Sequence, residues 1–242
     1  MIDFTMDGTQ KQMVDTAKKF GQKVLAPAEM FMDTTADPVI AFEDSRFWKA
    51  MEQAFELGFH KMAFPEELGG LSLDPITCGM VWEELGYYGA GFGASLMSCA
   101  VAQRLIAFLA PGNKELVDRY VVPFCQEDCV KNISAWGSSE PDVGSDGKNY
   151  YDPSVRHRTT AVKKGDRWIL NGIKSNFISN GGLAGVYVVF ANVDPSMGIR
   201  GSGAFIVPAD AKGVGRGNPI DKVGLRALNQ ASIFFDDVEI PE

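Results

Sequence analysis

The hydrophobic pattern of this chain changes once, near Lys131, and that change limits the folds open to it. Before it, apolar residues recur at helical spacing; after it, they fall into short runs among glycines. Residues 8–25 set Met13, Ala17, Phe20 and Val24 on one helical face, with Pro27 as the expected stop. Residues 44–57 repeat the pattern with Phe47, Met51 and Phe55, and Gly58 closes the helix. Asp74 before Pro75 reads as an N-cap followed by proline at the first helical position, opening a helix through Ile76, Met80, Val81 and Leu85. Residues 93–109 are the most apolar helical stretch and should be buried. Asn113 caps the last helix, which carries Leu116, Val117 and Tyr120.

Strands are predicted over 155–162, 167–170, 185–193, 204–207 and 232–240, the first two joined by the hairpin residues Lys163-Lys164-Gly165-Asp166. Helices first and strands afterwards predict an α+β chain: an all-helical domain over 1–130, then a small β-barrel-like or β-sandwich domain over 131–242.

Composition removes several function classes. With 23 basic and 31 acidic residues the net charge is −8, and no basic patch offers a grip on nucleic acid or an anionic membrane. The start lacks the basic and apolar regions of a secretory signal. Ser95, Ser98, Gln103 and Arg104 interrupt the longest apolar run, so no membrane insertion is expected. A cytoplasmic protein is the expectation, or one of the mitochondrial matrix if a transit peptide has been removed. Cys78, Cys99, Cys125, Cys129, His60 and His157 show no metal-ligand spacing, so no metal is expected and the cysteines read as buried thiols. The glycines at 89, 91 and 93 and at 213, 215 and 217 lack the G-x-G-x-x-G order, Asp142 stands where a P-loop needs glycine, and no G-x-S-x-G elbow occurs.

Two segments carry the chemistry. The first runs from Ser134 to Asp146. It reads as a strand end entering a polar turn, with hydroxyls at Ser138, Ser139 and Ser145 and exposed amides around Gly144. Such a turn suits an anion or the polar edge of a heterocycle. The second, Asn171 to Gly182, alternates so that Phe177 and Ser179 share a strand face, an aromatic body beside a hydroxyl.

Together these segments resemble the acyl-CoA dehydrogenase family. Pro65-Glu66-Glu67-Leu68-Gly69-Gly70 is similar to its Pro-Glu-x-x-Gly-Gly turn. Ser139-Glu140-Pro141 through Gly144-Ser145-Asp146 is similar to Thr-Glu-Pro-x-x-Gly-Ser-Asp, and Asn171-Gly172-x-Lys174 through Phe177-Ile178-Ser179-Asn180-Gly181 to Asn-Gly-x-Lys through Trp-Ile-Thr-Asn-Gly. Gly224-Leu225-Arg226 followed by Phe234 to Pro241 resembles the close of the family's middle domain.

The resemblance implies FAD as cofactor, held by Trp136, Ser138, Ser139, Gly144, Ser145, Phe177 and Ser179, with Ser145 also meeting the CoA arm. Two family threonines are serine here and the tryptophan is Phe177, so both hydroxyls survive but the indole N–H does not. It further implies α,β-dehydrogenation of an acyl-CoA substrate, an electron-transfer flavoprotein as acceptor, and a homo- or hetero-oligomer. An oxidase or flavin monooxygenase on the same scaffold, or a non-catalytic cofactor-holding subunit, are the alternative readings. The connection from Gly147 to His157 is longer than the family's, bringing in Lys148, Tyr150, Tyr151, Pro153 and Arg156; it reads as a solvated loop or a cover for the CoA nucleotide. The family's base lies in a C-terminal helical bundle, past the point where this sequence ends at Glu242, so no catalytic residue is expected here. Glu83, Glu84 and Glu140 read as structural.

Overall fold

The computed structural model describes residues 5–125, 130–146, 149–152 and 154–242. Cys129, Gly147, Lys148 and Pro153, considered above, lie outside the described residues. A helical region precedes a single curled seven-stranded sheet, the expected α+β order. The chain forms two compact units that interleave along the sequence. Unit one comprises 1–97, 111–130 and 221–228; unit two comprises 98–110, 131–220 and 229–242.

In unit one, α1 (Gly8–Phe20) starts at Asp7, whose side chain and that of Gln10 cap each other's backbone amides. Pro27 does not stop it. A π turn, Gly21–Leu25, carries the chain into α2 (Ala26–Thr34), where Pro27 sits in the first turn and costs no hydrogen bond. After α3 (Pro38–Glu43), α4 (Ser45–Glu56) is capped by Asp44 and ended by Gly58 at φ 78°. Asp74 caps α5 (Pro75–Tyr88) through the amides of Ile76 and Thr77. A Cβ at Gly21 would stand 2.2 Å from the Tyr88 ring, so only glycine allows α5 this close. The 93–109 stretch is not one helix: α6 (Ala90–Ser98) and α7 (Val101–Leu109), the latter belonging to unit two, are separated by a turn at Cys99 and Ala100. By length and composition Ala90–Leu109 would suffice to cross a membrane, but over half of it is buried inside the protein, as core helices are. The short α8 (Lys114–Leu116) takes its cap from Asn113. Cys78, Cys99 and Cys125 are buried, and burial pushes the Cys99 thiol up to about 12. No metal-ligating cluster exists among the described residues.

The core of unit one is aromatic. Phe47 packs on Phe92 at 5.6 Å, and Phe55 stacks flat on His60 at 3.8 Å, with Phe124 edge-on to both. Burial there, aided by Lys61, lowers the His60 pKa to about 3. In unit two, burial and then Lys174 lower that of His157 to about 4. Both rings are neutral when folded and regain a pKa near 6.5 on unfolding, so the unfolded chain binds more protons below that pH. Stability is fully present above pH 6.5 and falls toward the folded values by about 1.4 kcal/mol per pH unit for each ring. His60→Leu is expected to remove about one such slope between pH 6.5 and 5 in denaturant titrations. Comparison with the parent cancels Glu29, whose pKa burial raises and which acts in the opposite sense. A slope identical to the parent's would place His60 in water.

Unit two is built on one sheet. Strands β1 (Ser134–Gly137), β2 (Thr160–Lys164), β3 (Arg167–Ser179), β4 (Val186–Asn192), β5 (Ser202–Pro208), β6 (Val214–Arg216) and β7 (Gln230–Pro241) run in the order β1-β4-β2-β3-β7-β6, with β5 on β4. β1 pairs parallel to β4, while β2–β3, β3–β7, β4–β5 and β6–β7 are antiparallel. Alternate residues such as Leu170, Ile178, Tyr187, Val189 and Ile233 form its core. Here α7 lies against β1: the Ser134 hydroxyl receives the Ala102 amide at 2.9 Å and meets the Gln103 side chain at 2.7 Å.

Candidate functional site

The site develops from the end of β1. Trp136 faces outward between buried Ala135 and Gly137, and its ring rests on Phe190 at 4.6 Å. Beyond Gly137 the chain leaves the strand, and Ser139 O accepts the Ser175 amide of β3 at 3.0 Å. That bond brings the two chemistry-bearing segments together. Among the described residues, the hydroxyls of Ser138, Ser139 and Ser145 make no hydrogen bond and are available to a ligand.

Glu140 then turns inward. Its carboxylate meets the Lys174 ammonium at 2.6 Å, with both side chains fully buried, and takes the backbone amides of Arg158 and Thr159. Burial alone raises the Glu140 pKa, but Lys174 and the amides outweigh it and hold the carboxyl below its usual range. Burial lowers Lys174 to about 8 against the pull of Glu140, so the pair is ionised at neutral pH. Both oxygens of Glu140 are therefore engaged within the protein.

The turn that follows closes by a bridge between Glu140 and Gly144, the latter at φ 56°. This corrects one expectation. The Gly144 amide is not exposed for a ligand, because it donates to Glu140 O at 2.7 Å. Ser145, next along and solvent-exposed, has neither its amide nor its hydroxyl engaged among the described residues.

On β3, the register against β7 slips between Lys174 and Ile178, a bulge that buries the consecutive residues Lys174 and Ser175 and leaves Phe177 68% exposed. Ile178 is buried and Ser179 half-buried, so the expected alternation holds beyond the bulge. Gln230, opposite Ser179 on β7, reaches Phe177 O at 3.4 Å and Ser179 Oγ at 3.5 Å. Asn180 takes φ 59° and donates its amide to Asn229 O, which turns the chain out of the strand.

Sequence reasoning missed Gln230, the contact of His157 with Ser202 and the burial of Lys174. His157 Nδ1 lies 2.9 Å from Ser202 Oγ, and its buried Nε2 has no partner among the described residues. Only the Asn-Gly-x-Lys spacing signalled Lys174. The adjacent glycine explains that spacing, since a Cβ at Gly172 would meet Thr159 Cα at 2.6 Å.

The family models described as acyl-CoA dehydrogenase, N-terminal domain and middle domain match residues 7–128 and 135–238. The chain belongs to the acyl-CoA dehydrogenase family. Among curated members of that family, the short-chain specific acyl-CoA dehydrogenase of Bos taurus mitochondria is 33% identical over 235 residues, covering 97% of this chain and 52% of the relative. The acyl-CoA dehydrogenase fold also matches solved structures. Butyryl-CoA dehydrogenase from Megasphaera elsdenii is similar with a TM-score of 0.78 at 28% identity, over 99% of this chain and 58% of that one. A glutaryl-CoA dehydrogenase from Mycobacterium smegmatis in complex with FADH2 gives 0.77 at 25% identity, over 98% and 54%. The chain spans about half the length of the curated relatives it matches.

Proposed function

We infer that this chain supplies the FAD-holding and acyl-CoA-holding part of an enzyme that dehydrogenates an acyl-CoA thioester between its α and β carbons. The carrying observation is the join between the two segments: exposed Trp136 and Phe177 and the unengaged hydroxyls of Ser138 and Ser139, linked by the Ser139–Ser175 hydrogen bond. Exposed aromatic surface beside unengaged donors fits a flat heterocycle with a polar edge. Trp136, Ser138, Ser139, Phe177 and Ser179 would hold the flavin, and Ser145, set by the turn at Gly144, would meet phosphate and the CoA arm. The family likeness supports FAD as that heterocycle, and bound FAD supplies the hydride acceptor.

The chain's own part is to bind, orient and exclude water. Ser138 and Ser139 donate to the ring edge. Phe177 offers an apolar face, and Ser179 places a hydroxyl beside it, within reach of Gln230. Gly144 shapes the turn through its positive φ, leaving Ser145 as the donor to phosphate. No described carboxylate in the site is nominated as the base, since Glu140 is engaged by Lys174. An electron-transfer flavoprotein is the proposed electron acceptor, and a homo- or hetero-oligomer the proposed assembly.

The test is titration with FAD, followed by anaerobic bleaching with acyl-CoA thioesters of graded length. Saturable FAD binding is expected without rapid bleaching, because no carboxylate among these residues serves as the base; failure to bind FAD sinks the reading, and rapid saturable bleaching would place the base within these residues. Within it, Ser145→Ala is expected to weaken FAD or CoA binding about tenfold, because a hydrogen bond to a charged group contributes about 1.5–3 kcal/mol. Ser154→Ala is the control, since Ser154 is engaged by Asp152 at 2.6 Å. Equal affinities for the two variants would remove Ser145 from the site.

A further inference from the structure

The buried pair Glu140–Lys174 is an uncommon thing to keep in a sheet protein. Two well-packed apolar side chains in its place are often as stabilising or more so, because ions lose their hydration on burial. Stability alone therefore does not account for it. The pair does what an apolar pair cannot: it binds polar backbone from two stretches of chain and ties them to a third. Lys174 Nζ stands 3.4 Å from Ser138 O, on the stretch leaving β1. Glu140 takes the Arg158 and Thr159 amides, just before β2. Lys174 itself belongs to β3, immediately before the bulge that exposes Phe177.

The surrounding steric constraints agree. A Cβ at Gly137 would lie 3.2 Å from Lys174 Cγ, so the end of β1 rests against the lysine stem. Thr159, bonded to Glu140, is the residue that requires glycine at 172. Moving either ionic partner would move the Ser138–Ser139 backbone relative to Phe177 and Ser179.

We propose that Glu140 and Lys174 are positioning residues for the cofactor site, fixing the hydroxyl-bearing turn and the exposed part of β3 in the relative placement that FAD requires. This rests on the reading given under Proposed function. Neither side chain touches the ligand; both act through the backbone of the residues that do.

The test uses the full-length protein with the double substitution Glu140→Leu/Lys174→Met, which removes both charges and leaves neither partner alone. The expected result is a split. The circular dichroism stays that of the parent and the thermal midpoint drops as the buried Thr159 amide loses its acceptor, while FAD affinity from fluorescence titration, read well below that midpoint, falls roughly tenfold or more. The visible band of bound FAD also loses vibronic detail as its surroundings loosen. Parental affinity and spectrum in the double variant would overturn the inference. If that variant does not fold, Glu140→Gln carries the same test: it keeps the side chain's shape and one carbonyl acceptor but not the charge. Weaker FAD binding with unchanged circular dichroism supports the proposal, and parental binding overturns it. Failure of the parent to bind FAD would overturn the functional reading and this inference with it, whereas parental binding by the variants would overturn this inference alone.

Discussion

Lys174→Met alone is expected to lower stability by about 3–5 kcal/mol, far more than a surface lysine would. Methionine fills much the same space, so the loss comes from Glu140, left as a buried carboxylate without its counter-ion. The Arg158 and Thr159 amides still reach that carboxylate and offset only part of the cost. Its pKa should climb, and the variant should become more stable as pH falls toward the new value. That is the opposite sign from the parent, in which Glu140 has a lowered pKa and loses its contribution as pH falls through it. Guanidinium titrations at two pH values would read both effects. A loss under about 1 kcal/mol would mean that the lysine stands in water.

Phe55→Ala should cost about 3–5 kcal/mol through the cavity it opens in unit one. Its second effect is more diagnostic. Phe55 lies flat on His60 at 3.8 Å, so its removal lets water reach an imidazole now held at a pKa of about 3. The His60 proton resonances should then titrate well above that value, toward the ordinary 6.5. A large stability loss with no change in that titration would show that Phe124, edge-on to His60 at 5.2 Å, keeps it dry unaided.

Where local chemistry decides the backbone, the sequence was easy to read. Asp74 and Asn113 cap helices as expected, Gly58 ends one, and Gly165 takes φ 64° in the hairpin joining β2 and β3. The failures occur where tertiary partners override local preference. Pro27 looked like a stop because its missing amide breaks an α-helix, but a π turn before it lets helix resume. The strand expected from 155 begins only at Thr160, because the Arg158 and Thr159 amides go to Glu140 instead of a neighbouring strand. β3 was read as ending at Leu170, yet it continues to Ser179 through a bulge that breaks the two-residue period. β6, three residues with a central glycine, has no pattern long enough to detect. In the site, the side chains that would meet a ligand were legible from their motifs. The ion pair beneath them was not, because a lysine between Ile173 and Ser175 reads as solvated until Glu140 is found beside it.

The interleaving of the two units bears on how the chain is made. Arg226 belongs to the helical unit, where it donates to the carbonyls of Met32, Thr35 and Ala36 that finish α2. On a ribosome, those carbonyls emerge nearly two hundred residues before the guanidinium that will cap them. The helical unit must therefore wait, incompletely closed, while all of β1 to β6 is synthesised. The sheet has the mirror-image debt: α7 is made early and must stay available until Ser134 arrives to receive its Ala102 amide. Neither half is finished when its own stretch of message has been read, so vectorial synthesis should yield one late closure instead of two successive ones.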